Sequence, residues 1–207
     1  DIIPLNIQLY SVILVLLGVD PAKYLGASTA HGIQVDACSV NRMSIGLALE
    51  REWFDSDFFI VTSHTTDCDA KCTYFLSDHY QKPSILLDLP YLYNDEGVSY
   101  YVEELKDLIS FLEERTSKKL NMNRLKEVVA LSGKAINLYR EISELRRSVP
   151  SPVGNLEYLR PFFVTFFFGG RQEAVDYLQL FRDEMKQRVS QKKGAIEREN
   201  YRLLSLF

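Results

Sequence analysis

The sequence predicts an α/β fold, with a parallel (flavodoxin/Rossmann-like) sheet covered by helices on both faces. A helical hairpin and further helices are expected to follow. Three observations carry this. Short apolar segments alternate with helically spaced ones between residues 33 and 89. Those segments are near-continuously apolar, the pattern of strands buried on both faces. From Asp95 onward the pattern becomes long, charged and amphipathic.

Taken in order, Ile7 to Leu17 reads as a helix apolar nearly all round and stopped by Gly18. Asp20-Pro21 pairs an N-cap residue with proline at the first helical position and opens a short helix through Ala22 to Leu25. Ile33 to Asp36 is expected to be a short strand and Asn41 to Glu50 a helix. Phe58 to Thr62 (FFIVT) is a buried strand, Asp69 to Tyr80 a helix, and Ser84 to Leu89 (SILLDL) a third strand. Two long helices then occupy Asp95 to about Ser148, with a break around Thr116 to Asn121. Leu105, Leu108, Ile109 and Leu112 form one stripe; Leu125, Val128, Val129, Ser132, Ile136 and Tyr139 form the other. A short loop between them predicts an antiparallel hairpin. Pro150 to Gly154 (PSPVG) is a stiff connector, followed by helices over Leu156 to Phe168 and Gln172 to Ser190. Tyr201 to Phe207 (YRLLSLF) reads as a strand.

Composition narrows the function. The 207 residues make one large domain or a domain and a half, and 46% hydrophobic with 25% charged residues excludes a disordered chain. A net charge of -4 leaves no electrostatic footprint for nucleic acid. Ser11 to Gly18 and Pro161 to Gly170 are the most apolar runs, and both fall short of the ~20 residues that cross a bilayer. No signal peptide is recognisable, so a cytoplasmic protein is expected. Three cysteines are too few for a disulfide scaffold and fit thiols in a reducing compartment.

In an open parallel sheet, ligands collect outside the carboxyl ends of the strands. The loop after the first expected strand carries Ala37-Cys38-Ser39, with Asn41 and Arg42 opening the next helix. The second carries Ser63-His64-Thr65-Thr66-Asp67-Cys68-Asp69 with Cys72 one turn beyond, and the third Pro90-Tyr91. All three cysteines thus fall at one edge. Three uses compete: an iron–sulfur site, a zinc site of Cys38, Cys68, Cys72 and His64, and a redox thiol pair. The spacing matches no common zinc pattern, and no C-x-x-C is present. His31 reads as a turn residue, His79 as a surface helix residue, and His64 as a loop hydrogen-bonding group. Ser39, His64 and Asp69 lack a nucleophile elbow, and neither a P-loop nor G-x-G-x-x-G occurs. No catalytic residue is assigned.

The segment Val35-Asp36-Ala37-Cys38-Ser39-Val40-Asn41-Arg42 with Gly46 resembles the D-x-C-S-x-x-R-x-x-x-G stretch of the 2-hydroxyacyl-CoA dehydratase and benzoyl-CoA reductase family. Thr66-Asp67-Cys68-Asp69 is similar to that family's second cysteine loop, and Leu87-Asp88-Leu89-Pro90-Tyr91 to its D-x-P strand end. The helical stretch Tyr100 to Leu120 and the Pro150-Ser-Pro152 connector also resemble it.

The resemblance implies a [4Fe–4S] cluster ligated by Cys38 and Cys68. Cys72 is an addition to the family pattern, kept as a possible metal ligand or a bystander. The family's third ligand, from a later domain, has no counterpart here. The resemblance also implies a homologous second dehydratase subunit, an ATP-dependent iron–sulfur activator protein and an acyl-CoA substrate, with no nucleic acid or membrane partner. One-electron activation would make a ketyl radical of the thioester, from which water is eliminated. The expected organisation is an α/β domain with the cysteine loops over 1–92, a helical layer over 93–193, and the incomplete start of a second α/β domain over 194–207. The chain would then be a piece of a larger subunit. The alternatives are a non-catalytic truncated assembly piece, a low-potential reductase of the benzoyl-CoA reductase or double-cubane branch, and a zinc-stabilised domain.

Overall fold

The computed structural model describes residues 3–52, 55–64 and 66–203. These divide into two compact units, residues 1–119 and 120–207.

The first unit contains α1 (Ile7–Leu16), α2 (Ala22–Ala30), α3 (Ser39–Leu49), β1 (Phe59–Thr62), α4 (Asp67–Tyr80), β2 (Ser84–Leu87) and α5 (Asp95–Thr116). β1 and β2 pair in parallel, Phe59 opposite Ser84 through Thr62 opposite Leu87, with α4 as the connection. This is the βαβ arrangement that the apolar segments predict. α3 is the central helix: seven of its eleven residues are buried, and it packs on α1, α2 and α4. Ile45 and Ala48 join Cys72 and Leu76 in one core cluster; Met43 and Leu47 join Tyr24 in another.

Two features let α3 sit so deep. Gly46 lies against the backbone of α2, where an added Cβ would stand 2.0 Å from the Tyr24 carbonyl oxygen. On the side toward α1, Ser11 and Ser44 are buried and share a 2.9 Å hydrogen bond, each hydroxyl also lying 2.8–2.9 Å from a carbonyl of its own helix.

The first expected strand is not formed. Residues 33–36 are turn and irregular backbone, so the sheet among the described residues has two strands. α2 runs five residues past its expected end at Leu25 and closes at Gly32, whose φ is +87°. The Ile33 amide donates to Ser28 and the Gly32 amide to Thr29, a Schellman closure. That closure uses the backbone a strand would need, and Val35, 70% exposed, has no apolar layer to enter.

α5 packs on β2 within the first unit, whereas α6 (Met122–Leu145) packs on α7 (Asn155–Phe168) and α8 (Gln172–Ser190) in the second. Within the second unit, the face of α6 that is buried differs from the expected apolar stripe. Its buried residues are Ala135, Leu138 and Ile142, packed with Val175, Leu178, Phe181 and Met185 of α8, while Val129 and Ile136 are exposed. Both stripes have helical spacing, so the partner helix decided which faced inward.

In the second unit, Val149–Pro150 is a cis peptide bond, and the connector it opens is held from three directions. Arg188 donates to the Pro152 carbonyl, Glu199 accepts from the Ser151 amide, and the Ala195 amide donates to the Ser151 carbonyl. Arg202 donates to the carbonyls of Arg146, Arg147 and Ser148, just past the end of α6. Of the expected terminal strand, residues 201–203 carry no strand and residues 204–207 lie outside the described residues. No helix among the described residues is long and apolar enough to cross a membrane.

Candidate functional site

Cys38 and Cys68 sit at the N-termini of neighbouring helices. Cys38 is the N-cap residue of α3 and exposed. Cys68 is the second residue of α4, half-buried, after the loop that leaves the carboxyl end of β1. That start is set locally: the Thr66 hydroxyl accepts from the Asp69 amide, and Asp67 and Asp69 occupy the first turn, where acidic side chains suit the helix dipole. Because the first strand is absent, Cys38 follows a turn rather than a strand end. The turn is held by Arg42, whose guanidinium donates to the carbonyls of Val35 and Leu25 and to the Thr29 hydroxyl. Arg42 and Gly46, one helical turn apart, both face α2, one gripping its end and the other admitting its backbone.

Cys72 differs from the other two. It is 2% exposed, packed in the core, and its thiol donates to the Asn41 carbonyl at 3.8 Å. Burial pushes this thiol up to about 12, and the charges of Asp69, Cys38 and Cys68 add to the effect. A neutral buried thiol in that setting behaves as a small core hydrophobe.

At the neighbouring strand end, Asp88 links three elements. Its carboxylate accepts from the Tyr100 hydroxyl on α5 at 2.9 Å, and its amide donates to Glu104. The Ser63 hydroxyl accepts from the Leu89 amide. Hydrogen bonds from Ser63 and then Tyr100 hold the Asp88 carboxyl below its ordinary range, and the same bond raises Tyr100 to about 12. Tyr91, just beyond, is exposed.

His64 is exposed, and His79 stacks on Phe75 within α4. His31 caps α2, its Nδ1 donating to the Ala27 carbonyl. Among the described residues, no three His, Cys, Asp or Glu side chains are grouped to hold a metal ion by themselves. What the site offers a soft metal group is two thiols, one exposed and one half-buried, at two positive helix ends. That donor set fits a thiolate-ligated cluster completed by a ligand from elsewhere. Sequence reasoning overlooked the polar residues that hold this edge together: Gln8, Tyr100 and Glu104. One signal was present, since Gln8 and Ser11 on α1 match Asn41 and Ser44 on α3 as polar pairs three residues apart in apolar helices.

Fold and site together define a cysteine-bearing α/β protein with its thiols gathered at two adjoining helix N-termini. Its relatives make this specific. The model of the 2-hydroxyglutaryl-CoA dehydratase D-component family matches residues 1–206, and the chain belongs to that family. It is 30% identical over 144 residues to a benzoyl-CoA reductase subunit of Thauera aromatica, covering 62% of this chain and 33% of that protein. It is 25% identical over 169 residues to the (R)-phenyllactyl-CoA dehydratase alpha subunit of Clostridium sporogenes, covering 77% and 42%. With the alpha subunit of (R)-2-hydroxyglutaryl-CoA dehydratase of Acidaminococcus fermentans it shares 21% over 139 residues, covering 65% and 29%. The chain therefore matches less than half the length of these curated relatives.

Proposed function

We propose that this chain is the cysteine-bearing part of a cytoplasmic 2-hydroxyacyl-CoA dehydratase-type subunit, with Cys38 and Cys68 as two ligands of a [4Fe–4S] cluster. The observation that carries the reading is the placement of these two cysteines, in a member of this family, at the adjoining N-termini of α3 and α4. Held by Cys38 and Cys68, such a cluster would supply low-potential one-electron chemistry toward the thioester of a 2-hydroxyacyl-CoA, the chemistry that loss of water from it requires. The chain's own residues hold and orient. Helix ends complement the negative charge of thiolate ligands, Arg42 fixes the turn that presents Cys38, and the Ser63–Asp88–Tyr100 network fixes the neighbouring loop. Cys72, packed in the core with its thiol on the Asn41 carbonyl, is taken in this reading as a core residue and not a ligand. The remaining ligand, a homologous second subunit and an ATP-dependent activator complete the enzyme.

Anaerobic reconstitution with iron and sulfide tests this. The expected result is a brown protein with the visible absorption of a cluster, abolished by Cys38→Ser and by Cys68→Ser and kept by Cys72→Ala. Colourless, iron-free wild-type protein would overturn it. The identity to the benzoyl-CoA reductase relative favours a second reading, a reductase that leaves its electrons on an aromatic acyl-CoA. With the activator and partner subunit present, net consumption of reductant per product separates it from a dehydratase, which recycles its electron.

A further inference from the structure

Asn41 is a buried amide, 5% exposed, at which three helices meet. Its Nδ2 donates to the Asp69 carboxylate of α4 at 2.9 Å, and its Oδ1 accepts from Gln8 Nε2 of α1 at 3.3 Å. Its backbone carbonyl accepts from the Cys72 thiol of the same α4. A carboxylate only accepts, so the amide has one orientation that satisfies both side-chain neighbours. Asn41 lies one helical turn after Cys38, and Asp69 directly follows Cys68. Any slide or rotation of α3 against α4 that alters the spacing of the two thiols must therefore break this bond. We infer that Asn41 and Asp69 form a clasp that sets the separation of Cys38 and Cys68, making them positioning residues for whatever group the two thiols share.

The inference rests on the reading of Cys38 and Cys68 as co-ligands, but the spacing it concerns is measurable without a cluster. Metal-free protein is treated with bis-methanethiosulfonate reagents of graded span, and the Cys38–Cys68 bridged peptide is quantified by mass spectrometry. Wild type is expected to bridge over a narrow range of spans. Asn41→Asp sets two carboxylates against each other. It should widen the range and slow bridging at the preferred span about tenfold, the order of a lost charge-assisted hydrogen bond. Single-thiol labelling rates should not change. The double exchange Asn41→Asp/Asp69→Asn again faces a donor with an acceptor and should restore bridging to within about twofold, as expected of a coupled pair. Asp69→Ala, at a half-buried position, carries the same expectation should Asn41→Asp not fold. Iron retention against a chelator after reconstitution should rank the variants in the same order.

A folded single variant that bridges like wild type overturns the clasp. So does a double exchange no better than the single change, or a wild type that no span bridges. If wild type takes up no iron yet the bridging pattern appears, the clasp stands and the cluster assignment falls. If a variant binds iron at wild-type strength and its bridging is unaltered, the clasp falls and the cluster assignment stands.

Discussion

Substituting Gly46 by alanine sets two effects of opposite sign against each other. Helix propensity alone makes Gly→Ala in a helix interior favourable by about 1 kcal/mol. At Gly46, however, the new Cβ would stand 2.0 Å from the Tyr24 carbonyl oxygen, 2.5 Å from its carbon and 2.7 Å from its Cα. Real Cβ atoms stay beyond 3.0 Å, so the α2 backbone must retreat by at least 1.0 Å. The obstacle is backbone, not a side chain that can swing away. Overpacking of this kind costs about 3 kcal/mol at the upper end of its usual range, leaving about 2 kcal/mol of net destabilisation. Gly26 in α2 and Gly133 in α6 have nothing within 4 Å of a new Cβ and serve as controls. Their alanine variants should gain up to about 1 kcal/mol. Urea unfolding followed by far-UV circular dichroism and by the fluorescence of Trp53, the chain's single tryptophan, gives the three values. A Gly46→Ala variant as stable as the Gly26→Ala variant would refute the close approach of α2 and α3.

Four further outcomes are expected. Under native conditions iodoacetamide should modify Cys38 and Cys68 while Cys72 reacts about 100-fold more slowly or less, since it needs opening of the core; equal rates would contradict its burial. Because the folded thiol of Cys72 is raised from 9.0 to about 12, its contribution to stability is full below pH 9 and is lost as pH climbs toward 12. Tyr100→Phe removes one of the bonds that depress Asp88, so the Asp88 carboxyl should titrate higher in an NMR titration. The stability that this carboxylate contributes is present above its ordinary value of 3.8 and lost as pH falls below it, so the variant should lose less on acidification than wild type. His64→Ala should leave reconstituted metal content unchanged, because the exposed imidazole is no part of the thiol set; a loss of half the metal or more by elemental analysis would revive a zinc site.

The helices were legible where one physical signal dominated. Asn94 and Asn121 each cap a long helix by accepting the amide three residues on, and the break between α5 and α6 falls within the expected Thr116 to Asn121 stretch. Gln172 to Ser190 has the expected bounds. The strand at 33–36 was misread because two alternating apolar residues, Ile33 and Val35, suit a strand only if another layer covers them, and Gly32 instead closes α2. The inward face of α6 was misread because Val129 and Ile136 keep helical spacing just as Leu138 and Ile142 do, and only the position of α8 chooses between them. At the site, the cysteine-bearing loops and Asp88 could be read from local pattern. The Asn41–Asp69 and Asp88–Tyr100 bonds could not, since each joins residues brought together by packing.

Cys38 and Cys68 are 30 residues apart in sequence, and the segment between them carries α3 and β1. A group that binds both thiols closes that segment into a ring. In polymer terms, a closed loop of this length removes chain entropy from the unfolded state worth about 3.5 kcal/mol, as a disulfide of equal span would. Loading of the site and cohesion of the first unit are then one equilibrium, and stripping the thiols loosens α3 and α4 at the place where they must meet.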